Sequence, residues 1–426
     1  MKKPCGIMAL VLISGGVLAP LASHAQPVSD ETWNQWRGPE RTGMLPNKAW
    51  PDQVDENTVA RTWRLQLGPS YSGPVLDDQR VYVTETRDKK SEIVRALDRK
   101  TGEQLWETEW RGAMRVPFFA NANGSWIRAT PVLDGDLLYV GGMVDVLVCL
   151  EASNGAERWR IDFPTQQGTA KPDFGFASSP MIHGDAIYVQ AGGAFRKIDK
   201  NTGQEIWKAL DDGGGMYGSA FSSPVVATIH GVEQLVVQTR TRLAGVDPQT
   251  GNVLWSAEIP AFRGMNILTP LVIGNSIFTS SYRNKSWRLD VERNGDQWDV
   301  QQVWETPKAA YMSSPVYHDG HIYLHLGNQR FTCIDFENGE VRWTSRPFGK
   351  YSSLILAGDR ILALDQRGEL LLVEASPEEF RLLSQYRVSD EETWAHLAAA
   401  GDQLFVRELN AVSAWQLKPP APQPEK

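Results

Sequence analysis

Asp199-Lys-Asn-Thr-Gly203-Gln-Glu-Ile-Trp207 decides the fold: an acidic residue ends one run, Thr-Gly turns the chain, and a tryptophan follows four residues later. Gly accepts the positive φ of tight hairpin turns, so Thr-Gly and Asn-Gly between alternating segments read as strand reversals. The pattern recurs as Asp98-Arg-Lys-Thr-Gly102 before Trp106 and Glu151-Ala-Ser-Asn-Gly155 before Trp159. It returns as Asp247-Pro-Gln-Thr-Gly251 before Trp255 and Asp335-Phe-Glu-Asn-Gly339 before Trp343. A degraded copy, Leu289-Asp-Val-Glu-Arg-Asn-Gly295, reaches Trp304 late. The six glycines are spaced 53, 48, 48, 44 and 44 residues apart, periods that mean an array or a propeller.

Each unit has one grammar. Ser178-Ser-Pro-Met-Ile-His-Gly-Asp-Ala-Ile-Tyr-Val189 reads as a short strand, a Gly-Asp turn and an alternating strand. A third strand ends at the acidic residue and a fourth carries the Trp, giving the four-stranded antiparallel blade of a β-propeller. Openings at Tyr71-Ser-Gly-Pro74, Arg128-Ala-Thr-Pro131, Ala177-Ser-Ser-Pro180, Phe221-Ser-Ser-Pro224, Leu268-Thr-Pro270, Met312-Ser-Ser-Pro315, Tyr351-Ser-Ser-Leu354 and Trp394-Ala-His-Leu397 count eight blades. The last unit stops near Leu417 without a fourth strand, while an orphan strand around Trp63 precedes the first. The expectation is an all-β, eight-bladed propeller over residues 56–418, closed by this N-terminal strand. Closure leaves no central sheet edge open to aggregation.

The ends set the compartment. Lys2 and Lys3, the mostly apolar run from Gly6 to Ala22, and Ser23-His-Ala25 read as a cleavable signal peptide over residues 1–25. Its removal takes the formal net charge from −8 to −10. No Leu-x-x-Cys lipidation pattern precedes the cleavage point, so the expected location is periplasmic or secreted. Residues 26–55 form a Trp-rich leader and residues 419–426 a Pro-rich tail. The acidic balance, with no basic tract, argues against nucleic acid or an anionic membrane surface. No mature stretch reaches the roughly 18 apolar residues of a spanning helix. Cys149 and Cys333 occupy the same position in blades 2 and 6, on opposite sides of the ring, too far apart for a disulfide. Both are expected to be buried free thiols.

The Asp-x-x-Thr-Gly-x-x-x-Trp repeat resembles the pyrroloquinoline-quinone-like (PQQ-like) repeat of quinoprotein dehydrogenases and BamB-type outer-membrane assembly factors, both eight-bladed. Trp33-Asn-Gln-Trp36-Arg-Gly-Pro-Glu-Arg41-Thr-Gly43, Gly175-Phe-Ala-Ser-Ser-Pro180 and Ser223-Pro-Val-Val-Ala-Thr-Ile-His-Gly231 are similar to exported bacterial PQQ-binding-like propellers. The resemblance implies either a non-catalytic binding or scaffold protein, with outer-membrane assembly as its specific form, or a PQQ-dependent oxidoreductase of alcohol or sugar dehydrogenase type. The dehydrogenases use an adjacent Cys-Cys pair and a calcium site with carboxylate and amide ligands. Cys149 and Cys333 cannot mimic the pair, no position matches the calcium motif, and no haem-binding Cys-x-x-Cys-His is present. The non-catalytic reading is therefore the first expectation, as a monomer with a protein or carbohydrate partner at the rim or funnel. PQQ with Ca²⁺ in the funnel is the alternative.

Residue types nominate the site. The blade tryptophans, at fixed spacing on outer strands, are expected to pack between blades, because large aromatics dominate buried contacts. Small Ser and Thr at the openings suit the crowding of eight strands toward an axis. Tyr71, Trp126, Arg128, Trp394 and His396 are poorer space-fillers, and an aromatic beside a fixed cation suits a planar anion. They are the candidate ligand-binding residues, expected to converge on one mouth of the channel. The excursions Arg111–Ser125 and Asp211–Tyr217 are candidate binding loops. His321 and His325 share a strand face but lie about 13 Å apart at roughly 3.3 Å per residue, too far for one metal ion. No metal or catalytic residue is assigned.

Overall fold

The computed structural model describes Met1 and residues 31–212 and 220–418. The signal peptide of residues 1–25 and the tail of residues 419–426 lie outside the described residues, as does most of the loop Asp211–Tyr217. Among those described, thirty-two strands form eight antiparallel four-stranded sheets. Seven are built from consecutive strands: residues 75–111, 132–162, 181–209, 225–258, 271–306, 316–347 and 352–387, here blades 1 to 7. Blade 8 joins residues 398–417 to the N-terminal strand Val59–Gln66, with Val59 opposite Leu417. The ring closes as the sequence expects.

Pattern explains position. Middle strands such as Ala186–Ala191 are buried at every residue because sheets stack on both their faces. Outer strands such as Leu382–Arg387 alternate, since one face meets water. Clusters of core side chains run between neighbouring sheets: Tyr82 and Trp106 of blade 1 pack with Leu138 and Val148 of blade 2.

The tryptophans are the joints. Indole N–H groups of Trp63, Trp106, Trp159, Trp207, Trp304 and Trp343 donate to carbonyls of Arg99, Ala152, Lys200, Pro248, Phe336 and Ser376, at 2.8–3.3 Å. Each acceptor lies in the turn between third and fourth strands of the next blade. The turn acid holds that turn: Asp98 Oδ1 accepts from the amides of Lys100 and Thr101 at 2.9 and 2.8 Å. Turn glycines lie under the indoles, and a Cβ on Gly339 would come within 2.6 Å of Trp304.

Gly295 does not belong in this series. In blade 5 the strands Ser286–Asn294 and Gln297–Thr306 run on past the usual turn, and Gly295 tips a longer hairpin with nothing within 4 Å. Trp255, lacking a turn to meet, bonds Gln234 Oε1 of its own sheet at 2.7 Å. Trp298 and Val300 of the longer hairpin pack against the Trp255 core instead.

The blade openings also differ from expectation. Except for Ser352 and Ser353, they lie just before the innermost strands; six of the eight end in proline, which cannot donate to a sheet ladder. Their hydroxyls form an inner girdle between blades. Thr130 Oγ1 accepts from Gly73 N, Ser179 Oγ from Thr130 N, and Ser223 Oγ from Ser179 N, at 2.9–3.1 Å. Ser314, Ser313 and Ser353 do the same for Thr269, Ser352 and Leu397.

Cys149 and Cys333 are buried free thiols, pushed up to about 12 by burial. No helix among the described residues is long and apolar enough to cross a membrane.

Two substitutions separate a joint from a loop. Gly339→Ala drives a Cβ into Trp304 and is expected to cost several kcal/mol, in the range of core disruption. Gly295→Ala meets open space and is expected to cost about 1 kcal/mol, from backbone strain alone. Denaturant melts of both check this; equal midpoints would contradict the joint.

Candidate functional site

The leader is not a separate segment: it threads the centre of the ring. Trp33 exchanges backbone hydrogen bonds with Leu76 of blade 1, and Asn34 O accepts from Leu133 N of blade 2. Arg41 donates to Ser179 O and Pro180 O of blade 3 and to Pro224 O of blade 4, at 2.8–3.1 Å. Trp36 Nε1 donates to Thr269 Oγ1 of blade 5 at 2.9 Å, and Arg37 to Pro315 O of blade 6. Gly43 and Leu45 bond Leu356 of blade 7, and Lys48 donates to Gly401 O of blade 8. One strap thus touches all eight blades. Arg37 and Arg41 are 2% and 3% exposed, and burial pulls both down to about 9.

Against the strap lies a cavity of about 350 Å³, partly open to solvent. Trp36 reaches it from the strap. Tyr71, Tyr351 and Trp394 form one wall, with Tyr71 and Tyr351 centred 5.6 and 6.0 Å from Trp394. Phe174 and Phe221 line another side beneath Arg240, and Tyr282 and Tyr311 a third. Arg128, Arg240, Arg263 and Arg283 supply the charge.

Of the nominated residues, Tyr71, Arg128 and Trp394 line this cavity together. Arg128 donates to Trp126 O and Gly124 O at 3.3 and 3.2 Å, and burial lowers it to about 10. Trp126 stands behind it, partly buried and packed on Gly124. Tyr71 is pushed up to about 12, chiefly by burial. His396 lies elsewhere: 5% exposed, it bonds Leu397 O through Nδ1 and sits 6.1 and 5.1 Å from the rings of Trp33 and Trp36. Burial pulls it down to about 3, so it is a neutral prop for the strap. Sequence reasoning missed Arg240, Arg263 and Arg283; the aromatics beside Arg263 and Arg283, Phe262 and Tyr282, were the available signal.

The loop Arg111–Ser125 contributes Val116, Phe119, Ala120 and Gly124 to the lining. It includes the 3₁₀ turn Phe118–Asn123, and it reaches across the mouth: Arg263, between blades 4 and 5, lies 5.4 Å from the Phe119 ring. Beneath its start is Glu92, fully buried, accepting from Met143 N at 2.8 Å and Trp110 Nε1 at 3.0 Å. Burial pushes Glu92 up to about 7, against those two donors and Arg160.

Residues 89–345, more than half of the chain, match the family described as outer membrane protein assembly factor BamB. The chain is 20% identical to that factor from Yersinia pestis over 85% of this chain and 86% of the relative. It is 22% identical to the Shewanella oneidensis factor, over 75% of this chain and 78% of that one. The crystal structure of BamB from Moraxella catarrhalis superposes with a TM-score of 0.61 at 14% identity, covering 84% of this chain and 98% of that one.

The Glu92 carboxyl gives a pH signature. A folded value raised above the usual 4.5 means that stability is fully present below about 4.5 and is lost as pH rises through about 7. Between pH 5 and 8, wild-type Tm is expected to fall relative to that of Glu92→Gln, whose own Tm starts lower because one donor loses its acceptor. Parallel pH profiles for the two proteins would refute this.

Proposed function

We propose a function from the premise that this chain belongs to the outer membrane protein assembly factor BamB family: it is an exported, non-catalytic propeller that docks a protein partner on the funnel end of its ring. Its place is the periplasm, in an assembly role at the outer membrane. One observation carries the reading. The strap's Trp36 lines the cavity at the centre of the ring, and beside it stand Phe119 and Phe262 of the lining and the neighbouring Phe118, exposed by 46%, 43% and 86%. Exposed apolar surface rimmed by polar groups marks an interaction site, and a rigid ring holds such loops in place. A photo-crosslinking amino acid at Phe118 or Phe262 is expected to give protein adducts in cells, and one at Ile206 on the outer wall is not. Equal labelling at all three positions would sink the reading.

The alternative, PQQ with Ca²⁺ near Arg128 and Trp394, meets the same funnel. Guanidinium groups and aromatic faces suit a planar polycarboxylate, but among the described residues no Asp, Glu, Asn or Gln lines the cavity. That donor set does not fit calcium, which takes six to eight oxygens. PQQ at 100 times its Kd would raise stability by about 2.7 kcal/mol. If this reading is right, a melt shows that rise with PQQ and calcium together; a melt unmoved by either removes it.

A further inference from the structure

The funnel mouth carries a chemistry of its own, and the inference drawn from it rests on the docking reading above. Four arginines line the cavity among the described residues, in a chain whose net charge is −8, and no carboxylate is in the lining, although Glu392 behind it accepts from Trp394 Nε1 at 3.1 Å. No carboxylate of the described residues pairs with Arg128, Arg263 or Arg283. At the mouth, Arg263 lies over Phe119 and Phe262 at 5.4 and 5.2 Å, and Arg283 over Phe262 and Tyr282 at 5.4 and 5.2 Å. Both are exposed, so their N–H groups face solvent at the edge of an aromatic surface. Both also hold left-handed backbone, φ 52° and 56°, a region in which arginine is uncommon. The fold keeps two unneutralised cations in a disfavoured conformation at the entrance.

We propose that the mouth receives an acidic, aromatic-bearing segment of a protein partner, a loop or tail whose carboxylates meet Arg263 and Arg283 while its rings enter the cavity. Guanidinium groups bind carboxylates in bidentate fashion, and aromatic walls prefer ring partners. Extent selects a chain segment over a small molecule. About 350 Å³ holds only a few side chains, yet the apolar surface continues from the lining Phe119 onto Phe118, which is 86% exposed and stands outside the lining, its ring 5.7 Å from that of Phe119. A compact ligand inside the cavity would leave the Phe118 ring in water; a chain crossing the rim covers it. Such a contact also steers an acidic segment toward one end of an otherwise acidic body.

The probe is a fluorescein-labelled peptide of about twelve residues alternating Glu and Phe, with a Lys-Phe peptide, a Glu-Gly peptide and benzenetricarboxylate as controls. Wild type is expected to bind Glu-Phe, more weakly at higher salt, and neither peptide control comparably. The double variant Arg263→Asn, Arg283→Asn is expected to bind about tenfold or more weakly at unchanged Tm, because asparagine tolerates left-handed backbone. Undiminished binding by the variant would overturn the proposal, as would equal binding of Lys-Phe or Glu-Gly. Benzenetricarboxylate that binds more tightly than the peptide and displaces it would make this a small-molecule site instead. Crosslinking from Phe118 keeps the two readings apart. Adducts persisting at the wild-type level in the double variant would leave docking standing and overturn the acidic segment; no adducts in wild type would remove docking itself.

Discussion

An indole N–H reaching a turn carbonyl of the next sheet, repeated round a ring, is the interaction on which the rest depends. It explains why the turn is glycine, since the ring lies where a Cβ would stand, and why an acidic residue precedes it, since its carboxylate fixes the turn. Each bond contributes about 1 kcal/mol net. Burial of the indole contributes more, and its orientation is what the hydrogen bond specifies. Trp255 shows the rule by exception: where the facing turn lengthens into a hairpin, the indole turns back into its own sheet and other apolar residues fill the space.

The centre is governed by a different economy. Eight converging sheets leave an axial gap whose walls are backbone carbonyls and small hydroxyls, too polar to leave dry and unfilled. The strap fills it with guanidinium groups, which donate in several directions at once without needing a carboxylate. Arg41 alone joins two blades. The same strap carries Trp36 to the inner end of the cavity, so the element that completes the core also limits the depth of the site.

Fold and site were unequally legible. Blade number, strand count and closure follow from turn glycines and proline openings, because those features are local and repeat. Gly295 misled for the same reason: an Asn-Gly pair signals reversal but not how far the strands run before it. The strap was visible as an unusual Trp-Arg-Gly-Pro stretch, but its contacts span the whole chain, and no short-range pattern encodes them. Tyr71, Arg128 and Trp394 could be grouped because they occupy equivalent places in blades 1, 2 and 8. His396 does not share that place: two residues further on, it matches Gly73 and Thr130 of the inner girdle, and its ring packs on Trp33 and Trp36 of the strap and not on the cavity. Arg263 and Arg283 sit in connections between blades, where the repeat offers no frame.

The strand Val59–Gln66 belongs to the last blade although it is among the first segments synthesised. Chain order and assembly order therefore conflict. The strand Val59–Gln66 must wait, unpaired, for residues 411–417, and the strap, which can bond blades 1 and 2 early, cannot complete its contacts before blade 8 exists. Contacts of this sequence separation make closure slow. The molecule behaves as a clasp that cannot be half shut. A chain that lacks Val59–Gln66, or stops before Ala411–Leu417, would leave the whole ring open and not merely shorten one end.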